Sequence, residues 1–567
     1  MSEWRERSVD AACVDALVSA GYSPLQARLL AIRGVSAETV GEFFAPSLGN
    51  LVDPAELPGV VEAVAAIMRH VRAGDRIVVF GDYDCDGVCA SAIMAKALAA
   101  VGAKVTPVIP ERLTEGYGMT APSIARMLAE VPDVRLVVTV DNGINAVAEI
   151  AGLAARGIDS VVTDHHLPGD ELPACPIVNP KVAAPEKLEW LCGAGVAFLV
   201  AKKLLETAKA EGRYLGPKVG GELLVLAGLA TVTDIMPLSS QNRLLVSEAL
   251  NRFHSWAPTG LKELYARASR AAQPKLNAKD FGFLLGPRIN AAGRMASGIE
   301  SLRLILADER EEARRLALAV DLHNSERKTI EQRMTNEALA QVEPGAAAQV
   351  IELTGAHQGV AGIVASRILE KLKPDQAVPV AISVDGHGSA RAPDGYNVRD
   401  AFVASEAALT RYGGHAAAGG FSVREGAFAE FKRLFRAACA EQRAAMPGKA
   451  VGIDYVDAWV TGRDLTLGLA EWVQKLEPFG EGNPEPVFGI RGVYLNEVRQ
   501  LGAEGRHLQV FFYSSDVPRA VWWNHGEVAE ELHRLAASPF DLRFTIEVSN
   551  YGEPHVELRL VDMKAVG

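Results

Sequence analysis

Three short apolar runs, each followed within two residues by an aspartate, constrain the fold of this chain more than any other feature of its sequence. Segments typical of helices separate them. Strand and helix patterns that alternate at this spacing predict a parallel α/β sheet. Because the carboxyl ends of parallel strands meet along one edge, the aspartates are expected to lie together. The runs are Ile77–Phe80 before Asp82, Leu136–Val140 before Asp141, and Ser160–Thr163 before Asp164.

The composition is that of a globular protein with several domains. A chain of 567 residues, 49% hydrophobic and 23% charged, is too long for one core, so three or four domains are expected. No apolar run has the length of a membrane span, no signal-peptide pattern is present, and the cysteines lack disulfide spacing, which predicts a cytoplasmic protein. The net charge of -12 argues against a protein that coats nucleic acid, but leaves room for a local basic groove.

The pattern of elements changes along the chain and predicts five segments. A charged stretch without Gly or Pro follows the first α/β domain, and a helix there would be on the order of 60 Å long. The last segment contains short strands in which polar and apolar residues alternate, and it has the size of a small β-barrel. The segments are an N-terminal helical segment (1–50), a first α/β domain (51–300), a long connecting helix (301–343), a second, smaller α/β domain (344–447) and an all-β module (448–567), with a linker at Pro447–Gly448.

The run GDYDCDG places Asp82, Asp84 and Asp86 at the end of the first strand. Three carboxylates this close repel one another strongly when ionised, and hard divalent cations with oxygen ligands are the natural means of neutralising them. A solvated acidic turn is the alternative for this run alone. The residues at the other strand ends favour the metal site.

Further carboxylates and imidazoles are expected at the same edge of the sheet. Carboxylates with one or two imidazoles suit Mn²⁺ or Mg²⁺, and this many ligands exceeds the need of one ion. Two ions that share a carboxylate activate water and clamp the oxygens of an in-line displacement at phosphorus, so a phosphodiesterase or phosphatase is predicted. The added residues are Asp141, Asp164, His165, His166 and, from a helical connection, Asp234.

These motifs resemble those of the DHH phosphoesterase superfamily: GDYDCDG, VDNG at 140–143, TDHH at 163–166 and the Asp234 segment. Further motifs narrow the resemblance to the RecJ family of single-strand-specific 5′→3′ exonucleases. It implies a DHH domain joined by a long helix to a DHH-associated domain, and a C-terminal OB-type barrel. The narrowing motifs are GPRINAAGR (286–294), GVAGIVASRI (359–368), Ser389-x-Arg391, GGHAAAGGF (413–421) and PFGEGNPEPVF (478–488).

The resemblance also implies roles for individual residues. Two Mn²⁺ or Mg²⁺ ions would be shared among six ligands, with Asp141 as the bridge. His166 would complete the catalytic set by contacting substrate phosphate or a carboxylate such as Asp164. The six implied ligands are Asp82, Asp84, Asp86, Asp141, His165 and Asp234.

Substrate contacts are implied for eight residues around the cleft between the two α/β domains. The alternative for each arginine is a surface or interdomain salt bridge. The family usually has Trp where this chain has Ala356, which weakens the case for the next residue, His357. Aromatics of the barrel, such as Tyr513 and Trp522, would stack on bases, or else belong to its core. The eight residues are Arg288, Asn290, Arg294, His357, Arg367, Ser389, Arg391 and His415.

The implied function is hydrolysis of single-stranded DNA from its 5′ end to mononucleotides, in DNA repair and recombination. Single-strand-binding protein and a RecQ-type helicase are the implied partners of a monomeric enzyme. One rival is a nuclease of the same superfamily that acts on short oligoribonucleotides or nucleoside bisphosphates; such proteins are shorter and lack the barrel. The other is a non-enzymatic replication factor that has lost its metal ligands, whereas every ligand position is filled here.

Overall fold

The computed structural model describes residues 3–112, 114–116, 118–214, 219–269, 275–372, 377–446, 453–502, 504–549 and 553–566. The predicted Pro447–Gly448 linker lies outside these residues. Within the described ranges, no helix combines the length and apolar character needed to cross a membrane.

Helices and strands alternate through the two α/β domains, as the sequence predicts. Helices predominate in the N-terminal segment and strands in the C-terminal module. The helices are α1 (Ala11–Ser19), α2 (Pro24–Ile32), α3 (Val40–Phe44), α4 (Val60–Ala73), α5 (Cys85–Ala100), α6 (Ala121–Glu130), α7 (Val147–Ala154), α8 (Gly193–Ala210), α9 (Gly220–Thr233), α10 (Ser240–Trp256), α11 (Thr259–Ala268), α12 (Gly286–Met295), α13 (Gly298–Leu306), α14 (Arg310–Leu339), α15 (Ala361–Lys371), α16 (Val398–Ala404), α17 (Phe428–Ala445), α18 (Leu467–Gln474) and α19 (Ala529–Arg534). The strands are β1 (Glu3–Glu6), β2 (Arg76–Phe80), β3 (Lys104–Val108), β4 (Val134–Val140), β5 (Asp159–Thr163), β6 (Ile177–Val178), β7 (Gln349–Leu353), β8 (Val380–Val384), β9 (His387–Arg391), β10 (Leu409–Gly414), β11 (Ala418–Val423), β12 (Ile453–Val456), β13 (Ala458–Trp459), β14 (Phe488–Leu501), β15 (His507–Phe512), β16 (Ala520–Trp522), β17 (Pro539–Ser549) and β18 (His555–Ala565).

The chain forms two compact units. One contains the N-terminal segment, the start of α10 and the C-terminal module; the other contains both α/β domains. The first unit is Met1–Leu51, Ile235–Glu248 and Ile453–Gly567, and the second is Val52–Asp234 and Ala249–Gly452.

The first α/β domain is built on a parallel sheet of strand order β3-β2-β4-β5-β6. Its strand interiors, such as Ile77–Phe80, are buried between helices, as continuous apolar runs require. The predicted parallel sheet is therefore confirmed. Because β2, β4 and β5 are neighbours, Asp82, Asp141 and Asp164 follow adjacent strands at one edge.

The second α/β domain has a mixed sheet of strand order β10-β11-β9-β8-β7, in which only β7 and β8 pair in parallel among the described strands. The long helix that leads to it is shorter than the predicted 301–343. It begins at Arg310, and the pattern from Ser301 onward belongs to α13. Glu311 and Glu312 in the first turn of α14 explain the break, because negative charge stabilises a helix N-terminus.

The C-terminal module is a five-stranded closed barrel, β14-β15-β16-β18-β17, with β17 pairing back to β14. The predicted OB-type barrel is confirmed. Among its aromatics, Phe512 and Trp522 are buried in the core, whereas Tyr513 is 72% exposed. The N-terminal helices supply Leu17 and Leu29 to the same hydrophobic core.

Candidate metal centre

Three aspartates lie where β2 turns into α5. Asp84 is the N-cap of α5 and accepts a 3.0 Å hydrogen bond from the amide of Gly87. Asp82 and Asp86 flank it and are buried. Glycine is needed at position 87, because a Cβ there would lie 2.6 Å from the Cβ and the backbone nitrogen of Asp82. The turn thus packs three carboxylates at a helix N-terminus, whose dipole favours negative charge.

The N-terminus of a second helix, α8, meets the same carboxylates. The two oxygens of Asp86 accept hydrogen bonds of 2.7 Å from the amides of Gly193 and Ala194. Helix α8 therefore fixes the position of Asp86 and stabilises its charge. Sequence reasoning missed Gly193, since a single glycine at a predicted helix start carries no signal of its own.

Asp141 ends β4 in an unusual backbone conformation. Its φ is 61°, and its amide donates a 3.0 Å hydrogen bond to the carbonyl of Thr163. Asp and Asn adopt this left-handed conformation more readily than other non-glycine residues. A Cβ on Gly193 would lie 2.5 Å from the Cβ and Oδ1 of Asp141. The aspartate is thus held between a strained turn and a close-packed helix N-terminus.

His165 is surrounded by the carboxylates. Its Nε2 lies 3.1 Å from Oδ1 of Asp141, 3.6 Å from Oδ2 of Asp86 and 3.7 Å from Oδ2 of Asp234. Asp234 reaches this point from the C-terminal end of α9, where it is the C-cap. The structure therefore brings together side chains from four separate connections.

His166 points to a different carboxylate. Its Nδ1 lies 2.7 Å from Oδ1 of Asp164, which also accepts hydrogen bonds from the backbone amides of His165 and His166. Oδ2 of Asp164 accepts a hydrogen bond from the backbone amide of Ile144. The contact between His166 and Asp164 is one of the two alternatives that the sequence predicts for this histidine.

The seven predicted catalytic residues form three overlapping groups with ligand atoms within 4.8 Å of one another. Asp141 and His165 each belong to two of them, which suits two ions that share a ligand. The groups are Asp141 with His165 and His166, Asp86 with His165 and Asp234, and Asp82 with Asp84 and Asp141.

Two arginines, Arg112 and Arg294, lie near the carboxylates, and a third, Arg391, lies near Arg112. Burial and, next, the nearby charge of Arg112 lower the pKa of Arg294 to about 10, and the same two causes lower the pKa of Arg391. The guanidinium of Arg112 also lies over the ring of Tyr83, 5.0 Å from its centroid. Sequence reasoning found Arg294 and Arg391 but missed Arg112, which lies in a loop without a recognisable motif.

Three other predicted substrate residues are engaged in structural contacts. Asn290 accepts a 2.7 Å hydrogen bond from the amide of Cys85 and so anchors α12 to the start of α5. Arg288 pairs with Asp321 at 2.9 Å, and Arg367 pairs with Glu331 at 2.9 Å. The two arginines thus follow the salt-bridge alternative.

The remaining predicted residues lie in the second α/β domain. His357 accepts a 3.2 Å hydrogen bond from the amide of Gly359 and caps a short helical turn. Ser389 and Arg391 lie against Gly362, where a Cβ would be 2.9 Å from Nη2 of Arg391. His415 helps to line a cleft of about 380 Å³ that His166 lines from the first domain. The cleft between the two α/β domains therefore reaches the carboxylate cluster.

Comparisons with known proteins agree with this arrangement. Family models match residues 76–227 (DHH family, N-terminal domain), 345–441 (DHHA1 domain) and 456–562 (RecJ OB domain). The single-stranded-DNA-specific exonuclease RecJ of Thermus thermophilus is 38% identical over 83% of this chain and 67% of its own length. The RecJ of Dickeya dadantii is 36% identical over 85% of each chain. The chain belongs to the RecJ family.

Solved RecJ structures extend the similarity to the whole described fold. The crystal structure of RecJ from T. thermophilus in complex with Mn²⁺ has a TM-score of 0.85 and 32% identity, and covers 100% of this chain and 80% of that one. Its complex with Mg²⁺ has a TM-score of 0.79 and 31% identity, with 100% and 79% covered. The DHH, DHH-associated and OB-type architecture predicted from the sequence is therefore confirmed.

The carboxylate cluster fits divalent ions such as the Mn²⁺ and Mg²⁺ that the T. thermophilus RecJ structures contain. Among the described residues, the buried Oδ1 of Asp82 and Oδ2 of Asp234 have no hydrogen-bond partner. A buried carboxylate oxygen without a partner is costly unless a cation neutralises it. Carboxylates and imidazoles are also the ligands that Mn²⁺ and Mg²⁺ accept. Mn²⁺ or Mg²⁺ is thus the cofactor.

Without ions, the buried carboxylates of the cluster repel one another. Burial and repulsion from the neighbouring aspartates raise the pKa of Asp82, Asp84 and Asp141, and raise that of Asp234 to about 9. For His166, burial lowers the pKa, but the hydrogen bond and charge of Asp164 outweigh it and raise the pKa to about 9.

We expect Mn²⁺ affinity to rise with pH up to about 9. The pKa of Asp234 is raised from 3.8 to about 9, so its proton stabilises the metal-free fold and this stability is lost as pH rises. A bound cation displaces that proton, so each displaced proton should strengthen binding about tenfold per pH unit. Calorimetric Mn²⁺ titrations in buffers of different ionisation heat measure both effects, and Asp234→Asn should reduce proton release. Affinity that does not depend on pH would show that the aspartates are already ionised.

Proposed function

We propose that this chain hydrolyses single-stranded DNA from the 5′ end, releases 5′-mononucleotides and acts in DNA repair and recombination. The observation that supports this most directly is the buried cluster of carboxylates and imidazoles beside three arginines, in a chain that belongs to the RecJ family. Because Asp82 and Asp141 are at most 2% exposed, a phosphodiester must descend into the cleft to reach them. A strand end can do so, whereas a base-paired interior segment would first have to separate.

Six residues of the carboxylate cluster would hold the two ions. When bound, the ions lower the pKa of a water molecule and offset negative charge that develops on the phosphate. The residues that would hold them are Asp82, Asp84, Asp86, Asp141, His165 and Asp234.

His166 contributes positive charge to the reaction. The hydrogen bond and charge of Asp164 raise the pKa of this imidazole, and Asp164 fixes the ring through Nδ1. A protonated ring next to Asp141 and His165 can donate a hydrogen bond to a phosphate oxygen as charge develops there. His166 would thus bind the reacting phosphate, while Asp164 acts as its positioning residue.

Arg112, Arg294 and Arg391 would grip the phosphates of the strand. Guanidinium groups bind phosphate oxygens in pairs, and burial strengthens such contacts. Arg112 lies near Asp82 and over the ring of Tyr83, Arg294 lies near Asp84, and Arg391 lies near Arg112. A strand held by these arginines would therefore present its backbone to the carboxylate cluster.

Replacing Arg391 with Met should raise KM for single-stranded DNA by about 10- to 100-fold, because one hydrogen-bonded charge contributes about 1.5–3 kcal/mol. Arg367→Met is the matched control. That arginine is 50% exposed and bound to Glu331 and Glu370, so its loss should change KM less than about threefold. Steady-state cleavage of a labelled oligonucleotide measures both. Equal effects of the two variants would contradict the assignment.

End-labelled DNA tests the proposed reaction and its direction together. With Mn²⁺, the enzyme should release mononucleotide at once from 5′-labelled single-stranded DNA, and release a 3′ label only at the end of degradation. Early release of the 3′ label would leave the metal centre intact and reject the direction. Cleavage confined to dinucleotides or oligoribonucleotides would favour the rival nuclease class.

We also infer that the enzyme is a cytoplasmic monomer that works with single-strand-binding protein and a RecQ-type helicase. The support is the family resemblance together with substrate chemistry, since a single-strand-specific exonuclease needs a strand that another protein has separated. Light scattering of the purified chain tests the monomer. Degradation of a duplex that starts only when helicase and ATP are added tests the cooperation.

A further inference from the structure

A second cavity lies within the first compact unit, and none of the predicted metal ligands lines it. It has a volume of about 300 Å³ and is enclosed by the N-terminal segment, the start of α10 and the loop before β14. Polar and apolar side chains both line it. The lining residues include Arg33, Thr39, Phe43, Ser239 and Arg243.

Two guanidinium groups lie at the wall of this cavity, that of Arg243 buried and that of Arg33 partly buried, and neutral groups bind them both. Arg243 is 5% exposed and donates to the carbonyl oxygens of Phe43 at 3.1 Å, Leu476 at 3.2 Å and Glu477 at 2.8 Å. Arg33 donates to the carbonyl of Leu29 at 2.7 Å and to the side chain of Asn483 at 2.9 Å. Carbonyl oxygens satisfy hydrogen bonds but do not neutralise charge.

Neither guanidinium forms an ion pair within 4.0 Å in the part of the chain that the structure describes. The carboxylate that acts on Arg33 from a distance is Asp457, which is already paired with Arg7 at 2.9 Å. Glu42 is exposed at the rim, where it accepts a hydrogen bond from Asn50. Burial lowers the pKa of Arg33 to about 10, and burial together with the charge of Arg33 lowers the pKa of Arg243 to about 10.

The cavity wall thus carries two guanidinium charges and, at its rim, the single carboxylate of Glu42. Two neighbouring charges of the same sign, one of them buried, are unfavourable without a counter-ion. The N-terminal end of α10 lies at the same wall, through Ser239 and Ser240, and adds the positive end of a helix dipole. The ring of Phe43 packs against the guanidinium of Arg243, whose Cζ lies 3.7 Å from the ring centroid, and forms the apolar part of the same wall.

We propose that this cavity binds a phosphate group, as the free anion or as a small monoester, between Arg33 and Arg243. Paired guanidiniums and a helix N-terminus match a doubly charged tetrahedral anion better than a single carboxylate. The volume suits a small ligand rather than a DNA strand. The site does not use any residue of the metal centre.

A charge placed inside the cavity provides the test. Thr39 lines the wall, so Thr39→Glu would supply a carboxylate to the same arginines, and Thr39→Gln is its neutral match. Both variants are first checked for wild-type cleavage of single-stranded DNA. Wild-type cleavage shows that the chain is folded, and this readout does not depend on the proposed phosphate site. Thermal unfolding is then followed in EDTA with increasing inorganic phosphate, against sodium chloride of equal ionic strength.

Phosphate should raise the midpoint of wild type and of Thr39→Gln alike, because a ligand that binds only the folded state stabilises it. Thr39→Glu should start from a higher midpoint and bind phosphate at least about tenfold more weakly. Deoxycytidine monophosphate distinguishes a monoester ligand from the free anion. Binding tighter than that of inorganic phosphate identifies a monoester site, and weaker binding identifies a site for the free anion.

Ser239→Asp and its neutral match Ser239→Asn repeat the comparison at the N-terminus of α10, because aspartate and asparagine are equivalent N-cap residues. A phosphate effect no larger than that of chloride, or equal responses in each charged and neutral pair, would overturn the proposal.

Discussion

Exchange of Asp141 for asparagine is expected to lower kcat/KM for single-stranded DNA by about 1,000-fold or more, because it removes the carboxylate common to two groups of candidate ligands. Asparagine retains the shape of the side chain. It also tolerates the left-handed backbone at φ 61°, so the charge is removed without adding backbone strain. Alanine at this position would combine both effects.

The same variant should be more stable than wild type when metal is absent. Burial and the neighbouring carboxylates raise the pKa of Asp141, so its ionised form is unfavourable in the fold, and an amide relieves the repulsion. Thermal unfolding in EDTA measures this gain, about 1 kcal/mol or more. Added Mn²⁺ should then stabilise wild type and leave the variant almost unchanged. Asp170→Asn, on the exposed loop after His166, is the control for a charge change alone. Full activity in Asp141→Asn would contradict the metal assignment.

Local sequence patterns predicted the parts of this site that follow strands. Asp82, Asp141 and Asp164 could be placed at one edge because apolar runs mark buried parallel strands, whose ends converge. Asp234, which enters from the end of a helix, was grouped with them from a helical connection, and the family resemblance implied its role as a ligand. Its placement depends on how α9 packs, and no local pattern shows that.

Contacts between distant segments explain what sequence reasoning did not find. Arg288 has the right charge and lies in a family motif, yet Asp321 of α14 binds it. Arg112 has no motif, but its loop reaches the cluster next to Arg294. Charge can be read from the sequence, whereas the partner of each charge depends on the packed fold. The N-terminal helices likewise join the core of the barrel more than 400 residues away, as Leu17 shows.

Replacement of Gly193 is expected to have the second large effect on activity, although this residue has no side chain to take part in the chemistry. Its amide donates to Asp86 at 2.7 Å, and a Cβ would lie 2.5 Å from Asp141. That distance is too short for any carbon contact, so α8 would have to move away from both aspartates. The backbone of α8 thus sets the geometry of two candidate ligands at once.

Gly193→Ala should therefore lower kcat/KM by about 100-fold or more and weaken Mn²⁺ binding, because two ligands are displaced together. Overpacking should also cost about 1–3 kcal/mol of stability. Gly152→Ala is the matched control: it lies within α7 with no atom within 4 Å of the added Cβ, so it should keep full activity and gain about 0.5–1 kcal/mol. Cleavage assays, Mn²⁺ titration and thermal unfolding of the two variants separate the predictions. If Gly193→Ala loses stability but keeps wild-type Mn²⁺ affinity and activity, the close approach of α8 serves the fold and not the metal centre.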